Sequence, residues 1–231
     1  LRVFEETQEL PYPKNIQIVA YYPPALGGME RVAENLAVEL AETGQAVEVV
    51  TSSIGYSTKF QDHKKDGYTV SRLAGRMVGG LPVIPALFWH LVRQPHGSLY
   101  HVHVAQAFLP ELALLAARLR GGMFVAHFHL DAIPSGKFGA LFAAYKRTLF
   151  PYMLRHADRV IVFSEDQKKL VEEKYGVASA SVHIVPNGIR RGFERSEVKT
   201  LHRRPRLLFV GRLSHQKNIG FLLHALSGVS E

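Results

Sequence analysis

Tyr21–Arg31 reads YYPPALGGMER, and the fold follows from what stands on either side of it. Before it, Asn15–Ala20 is a short apolar run with the character of a buried strand. After it, Met29–Ala41 places Val32, Leu36 and Leu40 on one stripe with Ala33 and Ala37 beside it, the pattern of an amphipathic helix. Two prolines stiffen the exit from the strand, and Gly27 and Gly28 allow a turn with no Cβ in the way. A strand-to-helix turn of this kind leaves unpaired N–H groups at the helix start, where the dipole also favours an anion. An ordinary βα turn that happens to need two glycines would read the same way.

Working outward, Gly44 closes the helix and Ala46–Thr51 is a second strand, which completes a βαβ unit of a parallel sheet. Residues 52–67 read as loop and Tyr68–Leu73 as a short strand. Leu81–Val92, with Pro82 and Pro85, reads as a helix that opens on proline. Strands are then expected at Leu99–Val104, Met123–His127, Arg159–Phe163 and Ser181–Val185. Between them lie helices at Phe108–Arg120, Lys137–His156 (basic and amphipathic) and Glu165–Tyr175, the last closed by Gly176. Such alternation predicts an α/β fold with a doubly wound, mostly parallel Rossmann-like sheet over residues 1–189. Residues 190–204 are charged and aperiodic, a linker. Residues 205–231 begin a new strand at Arg206–Val210 and a helix near Asn218, the opening of a second Rossmann-like domain that is truncated here. So short a piece cannot bury a core by itself.

Composition narrows the function. The 231 residues are 47% hydrophobic and 21% charged, within the globular range. No cysteine is present, which excludes disulfides and thiolate metal sites. No apolar run reaches the length of a bilayer span and no signal-peptide pattern opens the chain, so a cytoplasmic enzyme is expected. The chain starts at Leu1, which reads as a fragment. A net charge of +8 and a pI near 9.7 point to anionic partners such as nucleotides, phosphates or an acidic membrane. No basic stripe interleaved with aromatics suggests nucleic acid, and no Gly-x-Gly-x-x-Gly follows a strand to suggest a dinucleotide oxidoreductase.

Ligands of open α/β sheets bind at the carboxyl ends of the strands. The residues expected there are Gly27, Gly28 and Glu30, then His101 and His103, then His127, His129 and Asp131, and finally Asn187 in Pro186-Asn187-Gly188. Each His-x-His pair would face one side of its strand, which invites a zinc site. No carboxylate completes a familiar metal spacing, so no metal is assigned. Ser164-Glu165-Asp166 is a helix start with Ser164 as its cap. In the second domain Arg212 and Lys217 flank a strand-to-helix loop and could converge with backbone donors on a polyanion.

Taken together, Gly-Gly-x-Glu-Arg, His129, Pro-Asn-Gly and Gly-Arg-Leu-x-x-x-Lys-Asn, in this order and spacing, resemble the N-terminal half of a family 4 glycosyltransferase with the two-domain GT-B architecture. The resemblance implies a retaining transfer of sugar from a nucleotide-sugar donor to a glycan, lipid-linked or small-molecule acceptor, without cofactor or divalent cation. It assigns His129 to the catalytic centre beside the transferred sugar, and Arg212, Lys217 and Gly28 to the donor diphosphate. Gly27, Glu30, His103, Asp131 and Asn187 fall on the acceptor cleft. The family's two glutamates seven residues apart would lie beyond Glu231, so this chain alone would be inactive. Two rivals share the pattern: a sugar-nucleotide epimerase, and a non-catalytic nucleotide- or glycan-binding protein. The basic helix Lys137–Arg155, with Lys137, Lys146, Arg147 and Arg155, would either make peripheral contact with an anionic membrane at its inner face, where a lipid-linked acceptor would lie, or simply bury its apolar face in the core and leave its cations solvated.

Overall fold

In the computed structural model, which describes residues 12–25, 27–55, 62–65, 67–131, 139–188, 207–211, 213 and 217–228, Asn15–Ile18 forms β1 with all four residues buried. Ile16 and Ile18 face the larger of two apolar cores, and the alternate residues Asn15 and Gln17 face the other way. The helix α1, Gly28–Glu42, lays Ala33, Ala37 and Val38 against Val19, Val47, Val49 and Val70 in the smaller core. It ends where Gly44 takes a positive φ of 84°, a conformation that favours glycine.

The chain continues as β2 (Val47–Ser52), β3 (Asp62–Lys65), β4 (Tyr68–Leu73), β5 (Arg76–Val78), β6 (Leu81–Val83) and α2 (Leu87–Val92). There follow β7 (Leu99–Val104), α3 (Leu109–Leu119), β8 (Met123–Phe128), α4 (Gly139–Arg147), α5 (Leu149–Arg155), β9 (Arg159–Val162), α6 (Glu165–Tyr175) and β10 (Val182–Ile184). Eight strands form one sheet in the order β10-β9-β8-β7-β1-β2-β4-β3, parallel throughout except for β3 at the edge. The expected doubly wound α/β fold is therefore present. The chain runs outward from β1 through β2 to β4, then returns to pair β7 with the other side of β1. That reversal opens a crevice between the carboxyl ends of β1 and β7.

Four local expectations are corrected. Residues 52–67 contain β3, whose pairing with β4 no sequence period announced. Leu81–Val92 is not one helix: Leu81–Val83 closes a hairpin on β5 through Gly79 and Gly80, both at positive φ, and α2 begins only at Leu87. The helix expected over Lys137–His156 is two, broken at Thr148, whose φ and ψ are −120° and −79°. Pro151 explains the break, since its ring and missing N–H are incompatible with a helical turn running back to Arg147. Finally, Leu207–Val210 is no strand. A strand needs a neighbour for its N–H and C=O groups, and none is present among the described residues from Leu207 onward.

The chain divides into two units, Leu1–Arg190 and Arg191–Glu231. The second contributes α7, Ile219–Ser227, which starts at Asn218.

Candidate functional site

The carboxyl end of β1 leads into α1 through Tyr21–Gly27. Gly27 is extended, at φ −175°, so no left-handed conformation is required of either glycine. What matters at Gly27 is room: the Glu30 side chain folds back to lie where a Cβ would stand. Gly28, the first helical residue, has open space beside it, with nothing within 4 Å of a would-be Cβ. No side chain caps this helix, so its first-turn N–H groups are left for water or a ligand. Burial, and then the Glu30 charge, raises the Tyr21 hydroxyl above its ordinary pKa, so the phenol stays protonated.

Next to β1, β7 carries His101 and His103 and β8 carries His127, with His129 just past its end; the four rings lie against one another, and His103 meets the buried Gln17 of β1. The hydrogen bonds run in one direction. Gln17 Nε2 donates to Asn15 Oδ1 at 2.6 Å, which leaves Gln17 Oε1 to accept from His103 Nε2 at 2.9 Å. His103 Nδ1 is then an acceptor and meets His129 Nε2 at 2.9 Å. It follows that His129 carries its proton on Nε2 and a free lone pair on Nδ1. The His129 ring also stacks on His127, with centroids 4.4 Å apart, and its carbonyl accepts from Gln167 on α6 at 3.4 Å. Burial lowers the pKa of all four imidazoles: His129 to about 4, His101 to about 3, His127 to about 2 and His103 well below its ordinary value. At neutral pH the cluster is uncharged.

Ring nitrogens of His101, His103 and His127 lie within 4.8 Å of one another, and His127 Nε2 is buried without a partner. His101 and His127 pair at 3.1 Å. Both nitrogens of His103 are engaged, so an ion held by all three would have to displace Gln17 or His129.

The remaining predicted residues are more scattered. Asp131 follows β8 but is fully engaged: it binds Lys146 of α4, and on α6 accepts from Lys174 at 2.6 Å and Tyr175 at 2.6 Å. Burial opposes its charge, yet these donors prevail and hold the carboxyl at about 2. Asn187 is exposed beyond β10, several strands from the reversal point. Lys217 is exposed in the second unit, and Arg212 lies outside the described residues. Ser164 caps α6, its hydroxyl accepting from Gln167 N at 3.3 Å. Lys146, read beforehand as a membrane-facing cation, is mostly buried on Asp131 and over the Phe150 ring at 3.9 Å. Lys137 and Phe138 lie outside the described residues.

Sequence reasoning missed Asn15, Gln17 and Gln167. Their signal was available for the first two, because amides at alternate positions of a fully buried strand need a polar partner. It also missed a cavity of about 570 Å³ beside α2 and α3.

The chain matches the model of Glycosyltransferase Family 4 over residues 26–193. Among solved structures, HepE of Anabaena in complex with UDP and glucose is similar, with a TM-score of 0.51 and 15% identity. The match covers 77% of this chain and 45% of HepE. A second HepE structure, with UDP-glucose, gives a TM-score of 0.51 at 14% identity over 76% of this chain and 44% of HepE. Sucrose-phosphate synthase of Thermosynechococcus elongatus matches at a TM-score of 0.49 and 17% identity, over 75% of this chain and 47% of its own. The chain thus spans less than half the length of these proteins. No curated protein sequence matches it.

Proposed function

The chain belongs to glycosyltransferase family 4, and from that premise we propose that it is the acceptor-side domain, with the start of the donor-side domain, of a retaining enzyme that moves a sugar from a nucleotide-sugar donor to an acceptor. The observation that carries this reading is His129, a neutral imidazole at the carboxyl edge beside the reversal point, with its protonated nitrogen committed to His103. Its free Nδ1 acts as an acceptor for a hydroxyl of the transferred sugar. It does not serve as an acid or a cation at neutral pH.

The negative charge of a departing nucleoside diphosphate is met elsewhere. On the first unit the open N–H groups at Gly28 supply the positive ends of dipoles, and on the second Arg212 and Lys217 are the cations assigned to the diphosphate, with no divalent ion needed. Gly27, Glu30, His103, Asp131 and Asn187 belong to the acceptor side, His103 by orienting His129 and Asp131 by anchoring its loop. The HepE complexes with UDP, glucose and UDP-glucose support a nucleotide diphosphate sugar as donor. The acceptor is met at the inner face of an anionic membrane, with Arg147 and Arg155 the exposed cations of the α4–α5 pair.

The test uses the full-length enzyme. His129→Ala should lower turnover about a hundredfold while the melting temperature stays within about 3 °C. Lys217→Ala should weaken nucleoside diphosphate binding about ten- to hundredfold and nucleoside binding little. NMR of the product should show the donor's anomeric configuration. Equal losses for nucleoside and nucleoside diphosphate, or sugar epimerised with no acceptor present, would overturn the reading.

A further inference from the structure

The cavity of about 570 Å³ is a groove between the β5–β6 hairpin, α2, α3 and α4. Among its described lining residues only Tyr145 has a polar side-chain atom, and that hydroxyl is donated to Glu111 at 2.8 Å. A site for a sugar or a nucleotide would need free donors and acceptors in its walls. This one offers none from its side chains.

Three observations say what it holds. First, its inner end lies at the carboxyl edge of the sheet. Ala107, Phe142 and Tyr145 are shared with a small hollow that reaches Leu130, the residue after His129. Second, Phe108, which lines the groove, is held at a φ of 69°, a strained conformation for a bulky residue, with its ring 5.4 Å from that of Tyr145. Strain of this kind persists where a side chain must stand in one place. Third, the groove opens to solvent: its lining residues Leu115 and Leu141 are 50% and 62% exposed, and Trp89, which packs against the lining residue Phe88, is 60% exposed. The elements that build the groove also carry exposed arginines, Arg76 on β5, Arg93 after α2 and Arg147 on α4. Exposed tryptophan, leucine and arginine on the elements that build the groove suit the boundary between hydrocarbon and anionic headgroups.

We propose that this groove binds the hydrocarbon chain of a lipid-borne acceptor, with the chain entering from the bilayer at the exposed Leu115 and Leu141 and the headgroup emerging at the carboxyl edge beside His129. The proposal rests on the glycosyltransferase reading and names the acceptor class for that site. An extended peptide segment would need its backbone hydrogen bonds met, and the described lining residues have no free side-chain group to meet them. An alkyl chain asks for none.

The full-length protein is photolabelled with a diazirine-bearing hexadecyl phosphate at a concentration below its micelle threshold, and the adducts are mapped by mass spectrometry. Labelling should fall on α3 and α4 and be competed by unlabelled hexadecyl phosphate but not by inorganic phosphate. Leu112→Ser/Leu115→Ser, two exposed positions of α3, should reduce it about tenfold or more. Nucleoside diphosphate binding by the same variant should be unchanged. Loss of nucleotide binding in the native protein would sink the glycosyltransferase reading independently of the labelling. Labelling elsewhere, undiminished labelling in the variant, or competition by inorganic phosphate would overturn the groove. So would hydrogen-exchange protection of α2 and α3 that no lipid alters, since it would mean that polypeptide already fills the space.

Discussion

Gly28 separates a structural glycine from a functional one. Nothing lies within 4 Å of a Cβ at this position, and alanine is the better helix former by about 0.5–1 kcal/mol. Gly28→Ala should therefore leave the melting temperature unchanged or slightly raised. If donor phosphates approach the N–H groups of this first turn, kcat/KM should still fall about tenfold or more. An unimpaired Gly28→Ala enzyme would remove the phosphate from this turn. The sequence located the turn, with its glycines as room for a backbone with no Cβ in the way; that room is taken up at Gly27, where Glu30 folds back, and not at Gly28, which stands open. His129 was legible as a residue at a strand end. Its tautomer was not, because Gln17 and His103 come together only through the β1–β7 pairing.

Asp131 matters at the scale of the elements, since it ties the end of β8 to both α4 and α6. Removing it leaves Lys146, whose side chain is only 10% exposed, without its counter-ion. Asp131→Ala should cost about 3 kcal/mol in a urea unfolding experiment. A loss under about 0.5 kcal/mol would show that the three donors find water equally well. This tether was not readable from the sequence. Lys146 and Lys174 stand 15 and 43 positions from Asp131, so no local window contains the pairing. The same distance explains why Lys146 looked like a free cation on an amphipathic helix. Helix periodicity was sufficient for α6, which formed over the residues expected from its serine cap to Gly176. The apolar groove escaped notice because α3 has leucines on more than its buried stripe, and a sequence does not tell which of them a neighbour covers.

Over the whole first unit, the three buried imidazoles and the half-buried His129 make stability depend on pH in a window set by their displaced pKa values. The ordinary value is 6.5, while in the folded protein His129 titrates at about 4, His101 at about 3 and His127 at about 2, with His103 also well below 6.5. Between pH 6.5 and 4 the unfolded chain takes up protons that the folded one refuses, so stability falls as the pH drops through that range and is level above it. Glu48 and Asp131, both held at about 2, add a separate loss at still lower pH, as each carboxyl is protonated first in the unfolded chain. Melting temperatures measured from pH 8 to 4.5 should be flat at first and then descend. A flat curve throughout would mean that the imidazoles are not buried uncharged. The strand order has a consequence for biosynthesis as well. Every strand up to Leu73 lies on one side of the β1–β7 line and every sheet strand from Leu99 on the other, so the crevice is the seam between an early and a late stretch of polypeptide. A chain emerging from the ribosome can form its glycine turn soon after β1. It gains a correctly protonated His129 only when the later strands zip onto Gln17.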